Sequence, residues 1–97
     1  MMKVFCTKWA LTRGIEELEA EECEGHAGMV EFHRPGSSYI QYLHGEGKDW
    51  HRTEQDAIAK ALVMADKKVK SLKNAIHKVE MDTARWRNRN ETLRNQA

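Results

Sequence analysis

The second half of the chain contains no residue that would interrupt a helix. Neither glycine nor proline occurs from residue 54 to residue 97, whereas all six glycines and the single proline lie before Thr53. These two residue types are the ones that a helix interior tolerates least. Glu54 and Asp56 follow Thr53, whose hydroxyl can accept an unpaired N–H at a helix start. We therefore predict one long helix that begins at about residue 54.

Apolar residues recur along this predicted helix with the four–three spacing of a coiled coil. The positions with this spacing are Ile58, Leu62, Ala65, Val69, Leu72, Ile76, Val79, Thr83, Trp86, Asn90 and Leu93. Only Thr83 and Asn90 among them are polar. The helix would be about 63 Å long at about 1.5 Å per residue, which is more than a small sheet can cover. The broad apolar stripe before Asp66 is expected to lie on the sheet, and the narrow part after it is expected to meet another helix.

We call this narrow part the seam, and it consists of Val69, Leu72, Ile76 and Val79. Self-association through the seam is expected, because every copy of the chain carries it and a twofold pairing buries both copies at once. Two alternatives remain, namely a helix of a partner protein and a turn near Asp82 that folds the chain back over its own seam.

The direction of pairing is not decided by the heptad pattern. Branched residues at the first heptad position, with leucine at the fourth, favour a parallel pair of helices. The flanking charges oppose it, because Lys68 would face Lys73 and Arg89 would face Arg94 of the second helix. An antiparallel pair therefore remains equally compatible with the sequence.

The first half of the chain consists of short apolar runs separated by turn residues. The runs predicted as strands are Lys3–Ala10, Ile15–Glu22, Met29–His33 and Tyr39–Leu43. The second run is rich in glutamate and also suits a helix. Trp50, just before the long helix, is predicted to fill the core or to staple the helix start. The predicted fold class is α+β, with a small antiparallel sheet of three to four strands (residues 3–52) followed by one long C-terminal helix with coiled-coil-like heptads.

We expect a single α+β domain over residues 1–80 and a basic Arg/Asn-rich tail, helical or frayed, over residues 81–97. The net charge also divides along the chain. Residues 1–50 carry five basic and nine acidic residues, and residues 51–97 carry eleven basic and six acidic ones. Such an asymmetry indicates a polyanion-binding tail or head-to-tail association. A solvated, lysine-rich helix explains it equally well.

Two further surfaces are candidates for binding. Glu17, Glu19 and Glu21 alternate along a predicted strand and would form an acidic interaction face, or only a solvated one. The basic tail contains Arg85, Trp86, Arg87 and Arg89. Arginines beside an aromatic ring can bind a phosphate backbone and stack on a base. Trp86 also fits the heptad, where it would be an apolar contact flanked by solubilising arginines.

The sequence predicts no catalytic, metal or cofactor site. The five histidines include no pair four residues apart, and Cys6 and Cys23 are not spaced as zinc ligands. A glycine-rich phosphate loop and a nucleophile elbow are also missing. We expect reduced thiols, no enzymatic activity and no cofactor. The chain has no apolar run of membrane-spanning length and its start lacks the features of an export signal, so a cytoplasmic location is expected.

Three segments resemble a family of small bacteriophage and prophage accessory proteins. They are Lys3–Ile15, His44–Ile58 and Lys67–Lys73. The resemblance covers roughly residues 3–80, and the chain departs from the family pattern beyond Asp82. It implies a bacterial host and a non-enzymatic role in binding a host protein or protein–nucleic-acid complex. Inhibition of a host defence system, of the anti-CRISPR or anti-restriction type, is one such role, and direct nucleic-acid binding by the basic helix is the alternative.

Overall fold

The computed structural model describes residues 1–96 and contains five strands and two helices. The elements are β1 (Met2–Cys6), α1 (Ala10–Arg13), β2 (Glu16–Glu22), β3 (Met29–Phe32), β4 (Gln41–His44), β5 (Trp50–His51) and α2 (Glu54–Asn95). The predicted α+β class is confirmed, with five strands rather than three to four. The chain divides into two compact units, the first comprising Met1–Ala65 and the second beginning at Asp66.

The five strands form one antiparallel sheet in the order β4-β3-β2-β1-β5. The first four strands follow the chain as a meander, and β5 returns to pair with the free edge of β1, where Trp50 lies opposite Cys6. The sequence did not predict β5, because two residues are too few to show an alternating pattern. The ambiguous glutamate-rich run is a strand, β2, in which Leu18 lies opposite Val4 of β1.

One face of the sheet forms the hydrophobic core. Its buried side chains are Val4, Cys6, Ala20, Val30, Phe32, Leu43 and Trp50. The indole Nε1 of Trp50 donates a hydrogen bond to the carbonyl oxygen of Gly28 at 2.8 Å. Gly28 directly precedes β3, which is separated from β5 by two strands in the sheet order, so the bond spans the interior of a curled sheet. The expectation that Trp50 fills the core is confirmed.

The long helix begins where the sequence predicted. The backbone N–H of Asp56 donates to the Thr53 hydroxyl at 3.2 Å, and the helix then continues without a break to Asn95. Its relation to the core differs from the prediction. Ala57 is the only buried residue of α2, and Ile58 and Leu62 are 44% and 61% exposed. The expectation that a broad apolar stripe lies on the sheet is therefore wrong, since the curled sheet and Trp50 already fill the core.

The connection between β1 and β2 is longer than predicted and contains a short helix. β1 ends at Cys6 rather than continuing to Ala10, because Ala10–Arg13 form the short helix α1. Gly14 ends this helix with a φ of 78°, a left-handed conformation that favours glycine, and its N–H donates to the Ala10 carbonyl at 3.0 Å. This turn lets β2 run back antiparallel to β1.

Candidate interaction surfaces

The seam is exposed along its whole length. The side chains of Val69, Leu72, Ile76 and Val79 are 48%, 49%, 57% and 61% exposed, and all four lie in the uninterrupted helix α2. Lysines flank it on both sides, at positions 67, 68, 70, 73 and 78. Helical geometry therefore gives a narrow apolar line between charged borders, the pattern of a helix that pairs with another helix.

The same spacing continues in both directions from the seam. Leu62 lies before it, and Trp86 and Leu93 lie after it, each with half or more of its surface exposed. Proteins that remain monomeric rarely leave a long continuous apolar surface in water. The extended apolar line therefore indicates an association surface that reaches well beyond four residues.

The three glutamates predicted as an acidic face lie on the outer face of β2. Glu17, Glu19 and Glu21 are exposed, while Leu18 and Ala20 between them point to the core side. The structure therefore brings the three carboxylates onto one surface. This arrangement follows directly from the alternation of side chains along a strand.

Two residues from neighbouring strands join this face. Lys3 of β1 lies opposite Glu19 and forms an ion pair with Glu17 at 2.7 Å, and this hydrogen bond and charge raise the pKa of Lys3. Glu31 of β3 lies directly opposite Glu21. Glu31 was not predicted to belong to this face, although its position between the buried residues Val30 and Phe32 indicates the outer face. Pairing it with Glu21 required the register, which the sequence did not provide.

The Glu21–Glu31 pair has an unfavourable charge arrangement. Like charges directly opposite each other in an antiparallel sheet destabilise it. Tyr42 of β4 lies opposite Glu31 on its other side and is 42% exposed. The resulting surface presents carboxylate acceptors beside an aromatic hydroxyl, which suits lysine and arginine side chains of a partner.

The basic residues of the tail are exposed and helical. Arg87 and Arg89 lie on the two sides of Trp86, because successive helical residues are separated by about 100°. Arg85 is instead held by Asp82 at 3.3 Å, and Asp82 also binds Lys78 at 3.2 Å. The structure therefore leaves an exposed indole, 64% accessible, between two arginines.

A buried polar pair connects β1 to β5. The Thr7 hydroxyl donates to the Lys48 carbonyl at 2.9 Å, so that its oxygen accepts a hydrogen bond from Nε2 of His51 at 3.0 Å. Burial lowers the pKa of His51. Both side chains are almost inaccessible to solvent, and the pair fixes the edge strand immediately before α2 begins.

A second polar cluster anchors the segment after β3. Arg34 binds Glu16 with two hydrogen bonds, of 2.6 and 3.1 Å, and its guanidinium carbon lies 5.3 Å from the Trp9 ring centre. The hydrogen bonds from Arg34 lower the pKa of Glu16. No local pattern predicted this cluster, because the three residues come from separate parts of the chain.

The cysteines and the metal-binding residue types form no chemical centre in the part of the chain that the structure describes. Cys6 and Cys23 are free thiols, and burial is the main cause that raises the pKa of each. Within residues 1–96, no group of three or more histidine, cysteine or acidic side chains is arranged to hold a metal ion. No helix in the same range has the length and apolar character needed to cross a membrane.

Comparison with protein-family models, curated proteins and solved structures gave no match. The candidate surfaces are therefore the seam on α2, the acidic face of the sheet and the arginine-flanked Trp86.

Proposed function

We propose that the protein is a non-enzymatic interaction protein that self-associates through the seam and binds a host macromolecule. The observation that carries the proposal is the exposure of Val69, Leu72, Ile76 and Val79 at heptad spacing on an unbroken helix. Fully burying such a side chain contributes about 1.5–3 kcal/mol, and about half of that gain remains available to pairing because each side chain is 48–61% exposed. Four of them on each copy provide a substantial driving force for pairing.

The acidic face supports binding of a partner with a basic surface. Glu17, Glu19 and Glu21 share this face with Glu31, and the repulsion between Glu21 and Glu31 would be relieved by a cation from a partner. The resemblance to phage accessory proteins suggests where such a partner would be found. We propose a protein or protein–nucleic-acid complex of the bacterial cytoplasm, for example a CRISPR effector or a restriction enzyme.

The self-association is tested by placing charges in the seam. Replacing Leu72 and Ile76 together by glutamate should halve the mass measured by light scattering, while the tryptophan fluorescence of the folded sheet, measured in a Trp86→Phe background, stays unchanged. A matched control is the double variant Ser71→Glu and Asn74→Glu, which adds the same charge to the same helix outside the seam. A wild-type protein that is monomeric at all concentrations would contradict the proposal.

Binding to a host partner is tested by capture from a nuclease-treated bacterial lysate. The wild type should retain a partner in stoichiometric amount, and the variant Glu19→Lys with Glu21→Lys should lose it. Glu24→Lys is the control, since Glu24 is an exposed glutamate in the turn after β2. Equal capture by all three proteins would exclude the acidic face as the binding surface.

Nucleic-acid binding is the second candidate function, and the position of Trp86 between Arg87 and Arg89 favours it. Two arginines can neutralise phosphates while the indole stacks on a base. Anisotropy with a labelled single-stranded oligonucleotide should show binding that weakens steeply with salt and is lost in Arg87→Glu with Arg89→Glu. Lys67→Glu with Lys70→Glu changes the charge equally and should retain most of the binding. No binding at low salt would contradict this candidate.

A further inference from the structure

We propose that two copies of α2 pair antiparallel, in the register that places Ile76 of one copy opposite Val79 of the other. The inference rests on the proposed self-association and adds its direction and register.

In this register, the apolar line of one helix meets that of the other along most of its length. An antiparallel pair packs the first heptad position of one helix against the fourth of the other. The layers, written with the second copy's residue after the stroke, are Leu62/Leu93, Ala65/Asn90, Val69/Trp86, Leu72/Thr83 and Ile76/Val79, each occurring twice by symmetry. The overlap runs from residue 62 to residue 93, about 47 Å at 1.5 Å per residue. Asn90 lies towards each end and opposite the small Ala65, where water can reach its amide.

The bordering charges are attractive in this arrangement. Lys73 of one copy lies beside Glu80 of the other, and Asp66 lies beside Arg87, and each contact occurs twice. Lys68 beside Arg89 is the one unfavourable contact. None of the four attractive residues takes part in an ion pair among residues 1–96 of a single copy, so all four charges are available to a second copy.

In a parallel pair, the repulsive contacts between the bordering charges would outnumber the attractive ones. Such a pair would place Lys68 beside Lys73 and Arg89 beside Arg94, and both contacts repel. Its single attractive contact would join Asp82 to Arg87. Within one copy, however, Asp82 already binds Lys78 and Arg85, which weakens its attraction for a third cation.

Antiparallel registers shifted by one heptad are also less favourable. A shift in one direction places Asp66 beside Glu80, and Lys73 beside Lys73 of the other copy. A shift in the other direction places Glu80 beside Glu80 of the other copy, and Lys73 beside Arg87. All four contacts repel. Only in the proposed register do Asp66, Lys73, Glu80 and Arg87 all lie beside a residue of opposite charge.

The net charges of the two units favour the same direction. The first unit carries seven basic and eleven acidic residues, a net charge of −4, and the second carries nine basic and four acidic residues, a net charge of +5. A parallel pair would set two basic segments side by side. An antiparallel pair instead directs the basic end of each helix towards the beginning of the other α2, where Glu54, Asp56 and Asp66 lie, so these charges attract.

The direction is tested by exchanging the charges of Lys73 and Glu80. Sedimentation equilibrium at low salt should show that Lys73→Glu and Glu80→Lys each raise the dimer Kd by about 5- to 20-fold, because each places like charges at two symmetric contacts. The double variant should return to within about twofold of the wild type. A parallel dimer would instead be tightened by Lys73→Glu, which converts the Lys68/Lys73 repulsion into attraction, and that result would overturn the proposal.

The register is tested by disulfide formation between two variants that each carry one introduced cysteine and Cys23→Ser, with the buried Cys6 retained. An equimolar mixture of Lys73→Cys and Glu80→Cys should give mainly the mixed cross-linked dimer on oxidation, identified by mass spectrometry. A dominant Lys73→Cys homodimer would show the shifted register and overturn the proposal. A wild type that shows no dimer at any concentration would refute the proposed self-association itself, whereas an intact dimer that is insensitive to all three charge variants would refute only the direction.

Discussion

The indole of Trp50 and the backbone of Gly28 are joined by a 2.8 Å hydrogen bond across the interior of the curled sheet. Trp50 belongs to the strand at one edge, and Gly28 precedes the strand next to the other edge. The Trp50 side chain therefore fills the core, and its Nε1 donates to the Gly28 carbonyl on the far side of that core. This single residue combines hydrophobic burial with a specific tie between distant parts of the sheet.

Replacing Trp50 by phenylalanine should lower the free energy of unfolding by about 1–3 kcal/mol. The substitution removes one of the two donors to the Gly28 carbonyl, which keeps its bond from the Gly45 N–H, and it leaves a cavity in the core because phenylalanine is smaller than tryptophan. Urea denaturation followed by circular dichroism measures the change. Tyr39→Phe is the control, because Tyr39 is 77% exposed and lies outside the core and outside α2. Equal losses in the two variants would contradict the assignment of Trp50 to the core.

The stability of the fold should decrease on acidification below about pH 6.5 because of His51. Burial lowers the pKa of His51 in the folded state, whereas the unfolded chain ionises near the ordinary value of about 6.5. Below that pH the unfolded state binds more protons, so the free energy of unfolding falls as the pH falls towards the folded pKa. Denaturation between pH 7.5 and 5.5 measures this slope. His51→Gln can still donate to Thr7 but does not titrate, and it should flatten the profile.

The ion pair between Arg34 and Glu16 should contribute at neutral pH and lose its effect in acid. Glu16 has a lowered pKa in the folded state, so its contribution is present above about pH 4.5 and disappears as the pH falls through the folded value. Glu16→Gln should cost about 1 kcal/mol at pH 7, a conservative figure for a partly exposed bidentate pair. The difference from wild type should narrow towards pH 3. Glu17→Gln, at the more exposed pair with Lys3, should show a smaller effect at every pH.

Reversing the charge of Glu31 should stabilise the sheet while weakening partner binding. Glu31→Lys converts the repulsion with Glu21 into an attraction, a gain of about 0.2–1 kcal/mol in the free energy of unfolding. Urea denaturation measures the gain, and capture from lysate measures the loss of binding. Glu24→Lys makes the same change outside the sheet and should have neither effect. A loss of stability in Glu31→Lys would mean that the carboxylates of Glu21 and Glu31 do not repel each other.

The sequence predicted those features that depend on neighbours along the chain. Local spacing predicted the helix cap at Thr53 and the unbroken helix to Asn95. It also predicted the alternation that exposes Glu17, Glu19 and Glu21. The four-strand meander was visible for the same reason, although its strand ends were displaced by up to four residues.

The remaining features depend on which distant segments meet. No local pattern contains the register that these features require. They are the pairing of β5 with β1, the position of Glu21 opposite Glu31, and the ion pair between Arg34 and Glu16. An apolar stripe likewise shows which face avoids water, but not what covers it. For this reason Ile58 and Leu62 were expected on the sheet, whereas the curl of the sheet leaves them exposed.

Every buried side chain among residues 1–96 lies between Val4 and Ala57. In the proposed dimer, folding and association therefore draw on largely different parts of the sequence. Substitutions after Ala65 would then strengthen, abolish or redirect helix pairing during evolution without affecting the core that keeps the sheet folded. A lineage under pressure from a changing binding partner could in this way alter its assembly while the folded sheet stays constant.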